Sequence, residues 1–234
     1  MATDDPFDLE TLSEAVNYNE WIYATVRPYL GFRVLELGCG CGNLTPFFLR
    51  EGRSVLATDP DERLIAAHQA HVAVAPGLTV RRAAAQDLAA GMRESFDSVI
   101  SSNVLEHIPD GEELAAVRAT YALLKPGGAS VHWVPAVAWA YGTLDRAYGH
   151  HRRYSRPRLV RLFEDAGFRV ERCRYWNSVG LLGWLWQAKV LGATRLSRRA
   201  TLAYDGCVVP VLRRVEPYLW LPAGQSLCIV ARKP

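Results

Sequence analysis

The run Arg33-Val34-Leu35-Glu36-Leu37-Gly38-Cys39-Gly40-Cys41-Gly42-Asn43 constrains this 234-residue chain more than any other. A short apolar strand ends in glycines at every second position, and Leu44–Arg50 then takes up helical spacing. Strand, glycine turn and helix in that order open a parallel α/β sheet. The glycines permit a tight turn and let a ligand approach the backbone closely. The helix behind them presents free N–H groups to an anion or a polar ligand. Taken alone, the turn fits a NAD-binding Rossmann protein equally well, or a tight strand–helix connection that binds nothing.

The rest of the chain repeats the alternation. Ser54–Thr58, Leu78–Arg82, Phe96–Ser101, Ala129–Val134, Phe168–Trp176 and Leu227–Ala231 read as strands. Asp61 suits the N-cap of a helix through Ala73. A helix over Glu112–Leu124 meets Lys125-Pro126-Gly127-Gly128 as a stop, and a helix over Pro157–Ala166 meets Gly167. Near-continuous apolar strands between helices predict a mostly parallel sheet covered on both faces, in one domain. Two late segments, 136–156 and 177–223, interrupt the rhythm, and such loops on a rigid scaffold are where specificity resides.

Composition narrows the setting. The five cysteines are odd in number and contain no C-x-x-C pair, which disfavours a disulfide framework or a structural zinc and points to a reducing, cytoplasmic environment. The first residues, MATDDPFDLETL, are acidic and lack the apolar core of a signal peptide. Val179–Ala193 is shorter than the roughly 20 residues of a membrane span and carries Gln187 and Lys189. A net charge of +3 does not argue for nucleic acid.

Three further features separate the readings of the first turn. Glu36 stands just before the glycines, where a dinucleotide turn has a small or apolar residue. Gln86-Asp87-Leu88 follows the third strand. Phe96-Asp97-Ser98-Val99-Ile100-Ser101-Ser102-Asn103-Val104-Leu105-Glu106-His107-Ile108 ends the fourth strand in a polar turn, with Leu123-Leu124-Lys125-Pro126-Gly127-Gly128 one helix later. In this order ELGCGCG, ATDP, AQDL, FDSVISSNVLEHI and LLKPGG resemble the class I S-adenosylmethionine (SAM)-dependent methyltransferases of type 11/12, best over residues 18 to 135. The resemblance implies a Rossmann-like seven-stranded sheet with an antiparallel last strand, SAM as cofactor and S-adenosylhomocysteine as product. It implies that Glu36, Gly38, Cys39, Gly40 and Gly42 surround the methionine part. Asp59, with Pro60 beside it, would hold the ribose, and Asp87 and Leu88 the adenine. Asn103 and Val104 would line the floor near the sulfonium, and His107 would stack near adenine, touch the acceptor or cap the next helix. Residues 8–30 resemble a helical lid that brings Tyr18 or Trp21 to the cofactor; the plainer reading packs Trp21 and Ile22 on the sheet.

Methyl transfer needs the nucleophile about 3–3.5 Å from the methyl group with water excluded. An alcohol acceptor also needs a base, and histidine suits neutral pH. The stretch Tyr141 to Tyr154 follows strand five and so reaches the carboxyl edge of the sheet, where open α/β sheets bind ligands. It resembles a Y-G-x-L-D-x-x-x-G-H-x-R-R-Y stretch of a bacterial subgroup that modifies small molecules or saccharides. His150, His151, Tyr148 and Asp145 are the catalytic candidates. Tyr141, Arg152, Arg153 and Trp176 are the acceptor-binding candidates, the arginines as anchors for an anionic group. The competing reading ties Asp145 to Arg152 or Arg153 in an ion pair that orders the loop. Asp145, His150 and His151 match no metal-ligand spacing, so no metal site is expected. Tyr175, Trp176, Trp184 and Trp186 form either an aromatic wall or plain core and dimer contact. His68 and His71 read as helix-surface residues and His132 as a sheet residue. The expected activity is methylation of N or O on a small molecule by a monomer or homodimer, away from membranes. An RNA or protein methyltransferase and a SAM-binding protein without turnover are the alternatives.

Overall fold

The computed structural model describes residues 11–234. The acidic N-terminal stretch and the first residues of the lid segment, 8–10, lie outside the described residues. Strands β1 (Arg33–Leu37), β2 (Ser54–Asp59), β3 (Leu78–Arg82), β4 (Phe96–Ser102), β5 (Leu124–Pro135), β6 (Arg169–Trp176) and β7 (Ser226–Arg232) form one sheet in the order β3-β2-β1-β4-β5-β7-β6. Strand β7 runs antiparallel to both neighbours, and the other six run together. Strand order reverses at β1, between β2 and β4, so the loops after these strands diverge and leave a crevice at their carboxyl ends.

Two helical layers account for the apolar strands. On one face α5 (Glu113–Leu123) and α7 (Arg156–Asp165) press Val117, Leu123, Leu159 and Phe163 onto Leu35, Val99 and Ile229. On the other, α1 (Val16–Val26), α2 (Thr45–Arg50) and α10 (Val209–Val215) bring Trp21, Ile22, Phe48 and Val209 against Val34, Val55, Trp133 and Val230. Truncating one of the fully buried aromatics, such as Phe48 or Phe163, costs about 3–5 kcal/mol.

Asp61 caps α3 (Glu62–His71) as its sequence predicts, its carboxylate accepting from the Arg63 amide at 2.8 Å. The helix closes at His71, two residues before the expected Ala73. The Lys125–Gly128 run does not separate α5 from a later strand. It lies inside β5, where the pairing with β4 shifts register between Phe96 and Ser98. The extra residues bulge out of the ladder, which then resumes at Ala129.

The two irregular segments are helical. The first holds α6 (Thr143–Ala147); the second holds α8 (Ser178–Leu185), a π-helical turn over Trp186–Val190, α9 (Arg198–Cys207) and α10. Carboxylates distant in sequence cap two of the helices. Helix α1 has no side-chain cap of its own at Ala15. Asp205 of α9 accepts from the Asn17 amide at 3.2 Å and the Tyr18 amide at 2.8 Å instead. Glu216 likewise accepts from the Asn177 and Ser178 amides at 2.7 and 2.8 Å where α8 begins. Among the described residues no helix is long and apolar enough to cross a membrane.

Candidate active site

A cavity of about 1030 Å³ opens at the carboxyl end of the sheet. Its floor is made by the turns after β1, β2 and β4, and its roof by α1 and the two helical segments. That is the upper end of the size range for ligand pockets.

The first turn is shaped by close packing. A Cβ at Gly38 would stand 2.3 Å from Val104 Cγ2, so glycine lets the turns after β1 and β4 touch. At Gly42 it would meet Val72 at 2.3 Å and His68 at 2.9 Å. Gly42 therefore docks the turn on α3 and is not part of the cavity lining. Gly40 is different: nothing lies within 4 Å of an added Cβ, and the residue faces the cavity.

Asp59, at the end of β2, is buried and lines the cavity. Its carboxylate is held by the Gly40 amide at 3.2 Å and the Asp61 amide at 2.9 Å. Pro60 and Asp61 continue the wall. Asn103 takes a left-handed backbone, φ 54°, and its amide bonds the Trp133 carbonyl at 2.8 Å; it lines the cavity with Val104.

Glu36 is buried beneath the turn, and burial raises its carboxyl to about 8. It accepts from the Thr45 hydroxyl at 2.5 Å, and that hydroxyl lies 2.8 Å from His68 Nε2. The Thr45 hydroxyl thus links the Glu36 carboxyl to the His68 ring. His68, expected on a helix surface, is fully buried in this relay. Only the tertiary contact with Thr45 reveals it.

Several predicted cofactor residues stand outside the cavity lining. Trp21 is core, edge-on to Tyr18 and Trp176. The plainer packing reading holds for it, whereas Tyr18 from the same helix does reach the cavity. Asp87 is exposed and accepts from the Ala84 amide at 2.8 Å, which closes the first turn of α4 (Ala85–Ala89). Leu88 is buried in the core beside Phe96.

The predicted catalytic stretch splits in the same way. His107, Tyr148, His150 and Arg153 line the cavity. His151 is exposed, and its amide is spent on the Glu106 carbonyl at 2.8 Å. Arg152 turns away to Asp110 at 2.7 Å and the Leu105 carbonyl at 3.1 Å. Tyr141 donates to the His150 carbonyl at 2.8 Å, which fixes the loop from behind. Trp176 is buried and stacks on Trp133, centroids 6.2 Å apart. Asp145 is fully buried behind the cavity wall, where His150 Nδ1 donates to it at 2.9 Å and Arg153 Nε at 2.8 Å. The expected ion pair of Asp145 is made with Arg153, and the same carboxylate oxygen also holds His150.

Arg153 also bonds the Ala136 carbonyl at 2.9 Å and stacks over Trp184 at 4.3 Å, while its Nη2 has no hydrogen-bond partner. Trp184 lines the cavity and Trp186 is exposed. Tyr204, Asp205 and Ser226 also line the cavity, and no local pattern marks them in the sequence.

Comparison with known proteins decides the family. The model of a methyltransferase domain matches residues 11–172. The chain belongs to the methyltransferase-domain family. This methyltransferase is 31% identical over 201 residues to a ubiquinone biosynthesis O-methyltransferase of Xanthomonas axonopodis pv. citri, covering 79% of this chain and 78% of the relative. Its fold is shared with a SAM-dependent methyltransferase from Archaeoglobus fulgidus (TM-score 0.62, 19% identity, 92% of this chain and 94% of the other). It is shared too with a phosphoethanolamine N-methyltransferase of Haemonchus contortus in complex with SAM (TM-score 0.60, 20% identity, 93% of this chain and 53% of the other).

Proposed function

We propose that this methyltransferase transfers a methyl group from SAM to a hydroxyl oxygen of a small-molecule acceptor. S-Adenosylmethionine is the methyl donor. It supplies a sulfonium methyl group; as the acceptor's O–C bond forms the S–C bond breaks, and S-adenosylhomocysteine remains. Everything else is the work of the chain.

The cavity floor fits the donor. Gly40 leaves open space against its backbone, and Asp59 is a buried carboxylate suited to ribose hydroxyls. Gly38 and Cys39 would flank the methionine part, with Asn103 and Val104 near the sulfonium. Helix α1 acts as the lid, and the segments 136–156 and 177–223 select the acceptor.

The observation that carries the oxygen assignment is His150. It faces the cavity while Asp145 holds its Nδ1–H, which leaves Nε2 with a lone pair. A hydroxyl has to shed its proton to become the nucleophile. The wall made by His107 and His150 is where the cavity offers groups for that step. Arg153 Nη2 supports a second oxygen on the acceptor, and Tyr148 and Trp184 give that end an aromatic surface. The relatedness to an O-methyltransferase agrees with this reading.

Mass spectrometry of a metabolite extract incubated with enzyme and isotopically labelled SAM tests it. The expected product is a labelled methyl ether or ester. Label found only on nitrogen, or only on RNA or protein, overturns the assignment.

A further inference from the structure

Glu106, His107 and His150 converge from two separate segments, the turn after β4 and the loop after α6. One donor atom of each lies within 4.8 Å of the other two. Three independent features of this trio point to the same ligand.

The first is Glu106. Its side chain is completely buried, and neither carboxylate oxygen has a hydrogen-bond partner. Burial disfavours the ionised form of such a carboxyl, so it is paired, binds a metal or holds a proton, and a bound cation would let Glu106 stay ionised. Arg153, the nearest guanidinium, gives its Nε to Asp145 instead.

The second is the state of the His150 imidazole. His150 donates Nδ1–H to Asp145 at 2.9 Å. That anchors one nitrogen of the His150 ring and leaves Nε2 with its lone pair. Carboxylate or carbonyl behind histidine is the arrangement that orients metal-ligating imidazoles and raises their basicity.

The third is orientation. The rings meet nearly at right angles, 84° with centroids 4.9 Å apart, so their edges can aim at one point without stacking. His107 and His150 line the cavity while Glu106 lies behind them. A central ion would have protein ligands on one side and open positions toward the acceptor, the mark of a catalytic rather than a structural site.

We propose that Glu106, His107 and His150 bind one divalent transition-metal ion, which takes the acceptor hydroxyl as a further ligand. Two imidazoles and one carboxylate select borderline cations such as zinc, cobalt or manganese over magnesium and calcium, which prefer oxygen alone. Coordination acidifies the hydroxyl. Its proton leaves to water, the oxygen lone pair forms the O–C bond, and the S–C electron pair goes to sulfur. The proposal rests on the reading that the acceptor oxygen faces this wall.

The test is metal binding itself. Full-length enzyme is stripped with a chelator, dialysed, and titrated with Co²⁺ by visible absorption and with Zn²⁺ by calorimetry. One equivalent is expected to bind. Glu106→Gln and His150→Ala should each weaken binding at least tenfold, Asp145→Asn should weaken it about 10- to 100-fold through His150, and His151→Ala should leave it unchanged. S-adenosylhomocysteine binding, measured on the same samples, verifies folding; if Glu106→Gln fails that check, His150→Ala carries the decision. No binding by the wild type, or binding equally strong in both ligand variants, overturns the site. Failure of the oxygen reading looks different: an intact metal equivalent, with label from SAM appearing on nitrogen.

Discussion

His150 Nδ1 donates to Asp145 Oδ1 across 2.9 Å, and that carboxylate has no exposure to solvent. The pair fixes which ring nitrogen faces the cavity. His150→Ala should lower kcat by about 10²-fold or more, within the span of positioned acid–base and ligand groups, with little change in the KM for SAM. His151→Ala should retain nearly full turnover, because its ring lies outside the cavity. Steady-state kinetics on the two variants decide between adjacent histidines that the sequence leaves equivalent. Equal losses would place the reacting group elsewhere.

Asp59→Ala removes a carboxylate that both braces the first turn and faces the cavity. Losing charge-assisted hydrogen bonds worth about 1.5–3 kcal/mol should weaken SAM binding about 10- to 100-fold. Calorimetry with S-adenosylhomocysteine measures this without turnover. Unchanged affinity would mean the ribose lies away from β2.

Gly38 and Gly111 both have left-handed backbones, at φ 67° and 88°, but only Gly38 faces a neighbour. Gly111→Ala should cost about 1–2 kcal/mol for the conformation alone. Gly38→Ala should cost about 1–3 kcal/mol more, for the overlap with Val104. Adding Val104→Ala should recover part of that difference. Denaturant unfolding of the three variants provides the numbers, and an equal cost at both glycines would refute the contact.

His132 sits inside the sheet between the Ser101 hydroxyl at 2.6 Å and the Ser130 hydroxyl at 2.8 Å. Burial pushes its ring down to about 3, whereas in the unfolded chain it titrates near 6.5. The folded state therefore resists the proton that the unfolded chain accepts. Stability from this group is complete above pH 6.5 and is lost as pH falls toward 3. Melting temperature should decline through that range, and His132→Gln should flatten the decline while lowering the plateau. Parallel pH profiles for the two proteins would rule out His132 as the cause.

Local signals made the sheet legible. Apolar runs, the glycine turn and the Asp61 cap each depend on residues within a few positions of one another, and the structure keeps them nearly as read. The β5 start was not legible, because Pro126 and two glycines mark a break whether or not a strand continues through a bulge. The cavity floor was readable for the same local reason at Gly38, Gly40 and Asn103. The rest depends on distant pairings. Asp87 has the composition of a ligand contact but spends its oxygen on the Ala84 amide, and Arg152 goes to Asp110 where Arg153, one residue later, goes to Asp145. Glu106 carries no sequence signal at all; its meaning comes from what fails to reach it.

Asp205 holds the amides that open α1, across 188 positions to Asn17. On the ribosome the first helix emerges long before its cap has been translated. Until α9 exists, Asn17 and Tyr18 have water in place of Asp205, and α1 is held on the sheet by its apolar face alone, through residues such as Trp21 and Ile22. The N-terminal end of α1 therefore gains its carboxylate cap only once α9 has been made.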